Sequence, residues 1–367
     1  MRKKLFRSAL ALGAVVVTFV LVFALVLVTR RDQMLAGVVG RTADWSNVDV
    51  VLRISDPSRN RVWTGTGAGV PHREPLGPDS RFRIGSITKT FVATVVLQLV
   101  DEGRVGLDRP IADHLPGVVP GGERITVRQL LNHTSGLYDY MKNPGMSTNR
   151  WRGTERFATY RPEHLLEAAF RHPPYFEPGA RFRYSNTNYI VLGSLIERVT
   201  GAHYGAEVER RILAPLRLSH TTVPGADPAI PEPAIRARQP ITDGTVADVT
   251  EMNPSLDWAA GEMLSTTADL DRFLGALLGG ELISAAALTE MKRSVPMGMG
   301  FHYGLGLQRF DPPCGESIWG HGGELLGYLT FAYRSAAERS LSMVIASAGS
   351  ANALPFYATV TAAFCLA

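Results

Sequence analysis

A serine hydroxyl attacks a carbonyl usefully only when a neighbouring base takes its proton. In Ser86-Ile87-Thr88-Lys89 the two reactive side chains lie three residues apart, at the start of a predicted helix running to about Glu102. That spacing puts hydroxyl and amine on one helix face. A helix start also leaves backbone N–H groups free, with the positive dipole end beside the nucleophile. A lysine can serve as the base when its surroundings lower its pKa, whereas an arginine keeps its proton. Only five of the 38 basic residues are lysines: Lys3, Lys4, Lys89, Lys142 and Lys292. A lysine kept at position 89 in so arginine-rich a chain favours a need for the amine. Alone, the pattern reads better as a cap residue and a surface lysine.

Two further segments could complete such a site. Tyr184-Ser185-Asn186 follows Pro178-Gly179 and directly precedes a predicted helix from Thr187. The Tyr184 phenol can shuttle a proton, and the Asn186 amide can hold a substrate carbonyl or amide group. Trp319-Gly320-His321-Gly322-Gly323 ends a predicted strand, where glycines admit a substrate backbone and His321 can donate or relay a proton. His-x-Gly recurs at His203 and His302, so position along the chain singles out His321. Gly65-Thr66-Gly67-Ala68-Gly69 has no helix after it and reads as hairpin backbone instead of a phosphate loop. No His-Glu-x-x-His or paired Cys-x-x-Cys points to a metal.

The elements that must hold these residues follow from periodicity and turn signals. Stretches 47–55 and 61–70 read as a hairpin around Asp56-Pro57-Ser58-Arg59-Asn60. Helical patterns cover 126–132, 161–170, 187–200, 204–213 and 285–292, and Thr266 with Asp269 opens another as a capping box. Strand patterns return at 303–310, 316–319, 328–334 and 341–347, before a helix over about 352–364. This order implies an α+β fold: an antiparallel sheet assembled from both chain ends, flanked by helices, with a mostly helical insertion.

The 367-residue chain is 45% hydrophobic and 20% charged, with a formal net charge of +4. It has no basic block that would track a nucleic-acid backbone. Arg2, Lys3, Lys4 and Arg7 precede an uncharged run from Ser8 to Thr29, long enough to span a bilayer. The charge bias predicts cytoplasmic residues 1–7, a signal-anchor at 8–29, a linker at 30–46 and an exported catalytic body at 47–367 of a bacterial plasma membrane. A secreted form released by signal cleavage is the alternative. Cys314 and Cys365 are the chain's two cysteines, either a disulfide or two separate thiols.

Ser-x-x-Lys, Tyr-x-Asn and His-x-Gly, in that order, resemble the serine β-lactamase and penicillin-binding superfamily. The surrounding segments 81–86, 99–103, 126–131, 133–140, 184–188 and 303–307 are similar to its class C-like branch, most of all to serine D-alanyl-D-alanine carboxypeptidases of the Streptomyces type. The resemblance implies a covalent acyl-enzyme at Ser86, proton transfer by Lys89 and Tyr184, and help to the leaving group from His321. It implies an oxyanion hole from the backbone N–H groups of Ser86 and Glu324. Asn186, Gly322, Gly323, Glu324, Trp258 and Gln308 would line the substrate site. It also implies a Cys314–Cys365 disulfide, β-lactams as acylating inhibitors, and no metal or organic cofactor.

The chain departs from that carboxypeptidase pattern where the substrate's terminal carboxylate would be gripped. Gln308 stands in place of an arginine, and Gly322 and Glu324 in place of threonines. Arg309 should face the other side of its strand. The resemblance implies D-amino-acid peptides of the D-alanyl-D-alanine carboxypeptidase class as substrates, with esterase, D-aminopeptidase or non-turnover penicillin sensor as alternatives. These departures predict slow turnover of free-carboxylate peptides beside neutral esters or amides.

Overall fold

The alternating stretches at the two chain ends pair into one sheet. In this computed structural model, which describes residues 30–44, 48–67, 75–147, 152–241, 245–346 and 354–365, the strands are β1 (Asp49–Asp56), β2 (Arg59–Gly65), β3 (Phe82–Arg83), β4 (Arg238–Pro240), β5 (Val246–Asp248), β6 (Leu264–Ser265), β7 (Val295–Gly298), β8 (Phe301–Tyr303), β9 (Gln308–Phe310), β10 (Ile318–Leu325), β11 (Tyr328–Ser335) and β12 (Ser340–Ala346). Eight form an antiparallel sheet ordered β2-β1-β12-β11-β10-β9-β8-β7. Thus the first hairpin joins the last strand, and Val51 pairs with Val344. β3 pairs with β6, and β4 with β5.

The helices are α1 (residues 30–44), α2 (Thr88–Asp101), α3 (Val127–Leu131), α4 (Pro162–Phe170), α5 (Thr187–Thr200), α6 (Tyr204–Val208), α7 (Ala214–Leu216), α8 (Thr267–Leu278), α9 (Ala285–Lys292) and α10 (Leu354–Val360). α2 is apolar on nearly every side and is buried accordingly. Its Phe91 stacks on Phe273 of α8 with ring centroids 3.7 Å apart. Burying such a ring contributes about 1.5–3 kcal/mol. Thr126 and Gln129 close a capping box at the start of α3. At α8, Thr266 caps Asp269 N, but the Asp269 carboxylate goes to His220 N and Thr221 Oγ1, so the expected reciprocal box is half made.

Three expectations are corrected. Residues 30–44 of the expected linker are helical: Leu35, Val39 and Ala43 recur at helical spacing and pack with Val50, Leu52 and Phe356. The strand expected over 303–310 is split into β8 and β9 by a turn at 304–307, where Gly306 has φ +70°. A Cβ there would lie 2.3 Å from Ala93 Cβ and 3.1 Å from Lys89 O, so the turn sits directly on α2. Ser86 lies in a 3-10 turn, Gly85–Ile87, leading into α2. The apolar run 8–29 lies outside the described residues, as do 68–70 of the second hairpin strand. Among the described residues no helix is long and apolar enough to cross a membrane. Cys314 and Cys365 form a disulfide with Cα atoms 5.4 Å apart.

Candidate active site

Ser86, Tyr184, Asn186, Gln308, His321, Gly322, Gly323 and Glu324 converge on one cleft of about 420 Å³ between the sheet and the helical region. The 3-10 turn brings Ser86 to its floor. A Cβ on Gly85, at φ +50°, would come within 2.8–3.0 Å of Glu324 backbone atoms. Only glycine permits that approach, which sets the Ser86 turn against the β10 backbone at Glu324.

Lys89 is fully buried one turn on. Its Nζ lies 3.0 Å from Ser86 Oγ, 2.9 Å from Asn186 Oδ1 and 2.6 Å from Ala260 O. The last two partners are acceptors only, so a neutral amine gives both its hydrogens to them and keeps its lone pair for the Ser86 proton. Burial lowers the Lys89 pKa to about 7, against the opposing fields of Asp139 and Asp257. The amine is therefore available as a base near neutral pH.

Asn186 is held from behind by a residue to which the motifs gave no role. Its Nδ2 lies 3.3 Å from both carboxylate oxygens of Asp139, and its backbone N donates to Asp139 Oδ1 at 3.2 Å. The amide carbonyl is thereby aimed at Lys89. Burial raises the Asp139 pKa, with hydrogen bonds from Met141 and Asn186 opposing. The Tyr184 hydroxyl faces Ser86, whose influence opposes the upward shift of its pKa by burial, but makes no well-formed hydrogen bond. The phenol stays protonated, suited to passing a proton and not to serving as an anionic base. Lys89 Nζ lies 4.9 Å from its ring centroid.

His321 lines the cleft with both ring nitrogens engaged. Nδ1 faces the Gly322 carbonyl, which can only accept, so Nδ1 carries the proton. Nε2 then accepts from the Tyr303 hydroxyl at 2.8 Å. Burial, followed by the nearby Lys89, lowers the His321 pKa to about 3. A neutral, doubly bonded imidazole has no proton ready for a leaving group, so its effect runs through Tyr303 and the β10 backbone. Gly323 is required by packing: a Cβ there would meet Ile84 O at 2.0 Å and Thr330 Oγ1 at 2.5 Å.

The sheet wall carries the residues that distinguish this cleft. Gln308 Oε1 accepts from Gly322 N at 3.1 Å and Tyr333 OH at 2.6 Å, leaving its NH2 end without an acceptor among the described residues. Glu324 is open to solvent, with no partner among the described residues, yet the cleft walls desolvate it enough to raise its pKa. Arg309 turns away as expected, pairing with Asp311 at 3.1 Å and reaching His302 Nδ1 at 3.2 Å. Lys142 lies at the mouth on the helical side, and Met297, Phe301, Leu329 and Phe331 give an apolar stretch.

Trp258 does not line the cleft. Its indole is buried against Tyr204, with centroids 4.9 Å apart, and over Gly193 of α5, where a Cβ would meet it at 2.6 Å. Its neighbours Asp257 and Ala260 serve the site instead, one in the lining and one through its carbonyl. A backbone carbonyl has no side-chain signature, so Ala260 was invisible in the sequence. Asp139 lay inside a segment that carried the resemblance, but its role emerges only from contact with Asn186. No group of acids, histidines or cysteines fit to hold a metal occurs among the described residues.

Comparison with known proteins gives the family. A family model described as Beta-lactamase matches residues 26–362. Penicillin-binding protein 4 of Amycolatopsis lactamdurans is 29% identical over 294 residues, 72% of each chain. Two further relatives, both from Bacillus subtilis, are matched over 60% of their length. A D-stereospecific amidohydrolase from Streptomyces sp. superposes with a TM-score of 0.83 at 39% identity, covering 91% of this chain and 98% of that one. The D-amino acid amidase from Ochrobactrum anthropi SV3, complexed with D-phenylalanine, gives 0.80 at 28%, with the same coverage. With its serine and lysine in one cleft and the family match spanning nearly the whole chain, the protein belongs to the beta-lactamase family, within the superfamily that includes the penicillin-binding proteins.

Proposed function

We propose that the protein hydrolyses amides, and related esters, of D-amino acids with a free amino group, through an acyl-enzyme on Ser86. The observation carrying this reading is the sheet wall: Gln308 and an unpartnered Glu324 face the cleft where a carboxypeptidase needs positive charge. A free carboxylate would be repelled there, whereas an α-ammonium group would be attracted. Likeness to a D-stereospecific amidohydrolase and a D-amino acid amidase supports the same class and favours it over the D-alanyl-D-alanine carboxypeptidase expected from sequence.

In this reading the neutral Lys89 takes the Ser86 proton as Oγ attacks the amide carbonyl. Backbone N–H groups of Ser86 and Glu324 receive the oxyanion. Tyr184 relays the proton to the leaving nitrogen, and water then attacks the ester by the reverse route. β-Lactams should acylate Ser86. The run 8–29 would hold the body outside a bacterial plasma membrane, a placement that suits the Cys314–Cys365 disulfide. Membrane fractionation tests that placement, and mature protein free in the medium would contradict it.

The substrate test compares D-alaninamide, its N-acetyl derivative and a D-alanyl-D-alanine peptide. The free-amine amide should give the highest kcat/KM. Equal rates after N-acetylation, or preference for the free-carboxylate peptide, would overturn the reading.

A further inference from the structure

His133 is fully buried directly beneath the catalytic loop and takes no part in the mechanism above. Its backbone has φ +60°, a strained region for a bulky side chain. Its carbonyl accepts from Arg183 N at 2.9 Å. Ser185 N, at 3.3 Å, and Asn188 Nδ2, at 3.0 Å, both point at His133 Nδ1. Asn188 is fixed in that orientation because its Oδ1 accepts from Ser135 Oγ at 2.6 Å. Both groups facing Nδ1 are donors, so Nδ1 holds the lone pair and Nε2 holds the proton.

That Nε2 is buried with no hydrogen-bond partner among the described residues, and an unmet N–H destabilises a fold. The ring lies 4.1 Å from the Tyr184 ring at 32°, and 4.7 Å from Tyr303 at 68°. Tyr189 and Phe182 complete the aromatic surround. A phenylalanine would fill this space without an orphan N–H but would leave Ser185 N unpaired. The imidazole is kept for its acceptor nitrogen and its flat face.

We infer that His133 is the positioning residue for Tyr184, its carbonyl and Nδ1 together gathering the 183–188 segment and its ring backing the phenol so that the hydroxyl faces Ser86. The inference rests on Tyr184 acting in acyl transfer at Ser86, and not on the identity of the substrate.

The test is a double-mutant cycle of His133→Phe and Tyr184→Phe, read with a chromogenic ester and with the rate of acylation by a fluorescent penicillin. His133→Phe should lower kcat at least tenfold with KM within twofold. Once Tyr184→Phe is present, it should cost less than threefold more, because the group it positions has already gone. Additive losses, or unchanged kcat in His133→Phe, would overturn the inference. Should that variant not fold, ¹⁵N-histidine NMR of the unaltered protein decides: His133 must appear protonated at Nε2, and protonation at Nδ1 would refute the geometry. Failure of the D-amide reading would appear separately, as inert amides beside a normal ester cycle.

Discussion

The two walls of the cleft are built on opposite principles. On the helical side, Lys89, Asn186 and Asp139 are linked by hydrogen bonds of 2.9–3.3 Å, with Lys89 fully buried and Asp139 nearly so. On the sheet side, Glu324 and the NH2 end of Gln308 face the cleft without partners among the described residues. Groups that must change protonation are fixed and dry, so their pKa values are set by the fold. Groups that meet substrate are left unsatisfied, ready to be satisfied by it. Changes on the first side should therefore act on kcat for every substrate, and changes on the second should act on the choice between substrates.

The largest effects belong to the buried side. Ser86→Ala should abolish both turnover and penicillin labelling. Lys89→Arg keeps a charge but loses the base, and should lower kcat about 10²–10⁴-fold, the usual range for a general base. Steady-state kinetics with a chromogenic ester measure it, and near-normal turnover would remove Lys89 from the proton route.

The pH profile follows from the same burial. Lys89 acts as a neutral amine, so kcat/KM should rise with pH along a limb centred near 7. Its folded pKa lies below the unfolded value of about 10.5, so the unfolded chain holds more protons between these limits. This group's contribution to stability accordingly grows as pH rises through that window. A limb near pH 10 would mean that the amine is not desolvated in solution.

Asp139→Asn should have a middle-sized effect. It removes an anion that raises the Lys89 pKa, so the activity limb should move to lower pH. It also weakens the grip on Asn186, and kcat should fall about tenfold if that amide strays from Lys89. A limb that stays in place, or moves upward, would show that Asp139 acts only as a structural anchor.

How much of this was readable from the sequence depended on the range of each interaction. Ser86 with Lys89 is local, three residues on a helix start, and Tyr184 with Asn186 is equally local. The sheet built from both ends followed from alternation, turn signals and the order of the elements. Asp139 sits 47 residues from Asn186, and Ala260 is 171 from Lys89. No spacing rule reaches that far. His133 lay inside the resembling segment 133–140 without a role of its own, because its value lies in a lone pair aimed by the fold. Trp258 was assigned by resemblance, yet in this chain Gly193 opens space for the indole within the helical layer. The helix at 30–44 had a readable signal in Leu35, Val39 and Ala43, obscured by treating everything after the apolar run as a tether.

The smallest predicted effect tests the sheet wall and separates the two walls most cleanly. An ammonium about 4 Å from the Glu324 carboxylate gains at most roughly 4 kcal/mol at an effective dielectric near 20, and solvent at this open position reduces that to about 1. Glu324→Gln should thus lower kcat/KM for D-alaninamide roughly fivefold while leaving its N-acetyl derivative nearly unchanged. Adding Gln308→Arg should raise activity on D-alanyl-D-alanine peptides by a similar factor, through the cation the wall now lacks. Both variants should keep the pH limb of the unaltered enzyme, because neither residue bonds to Lys89. An equal loss on the free and acetylated amides would place Glu324 outside recognition of the amino group. Substrate choice would then rest with Lys142 and the apolar stretch from Met297 to Phe331.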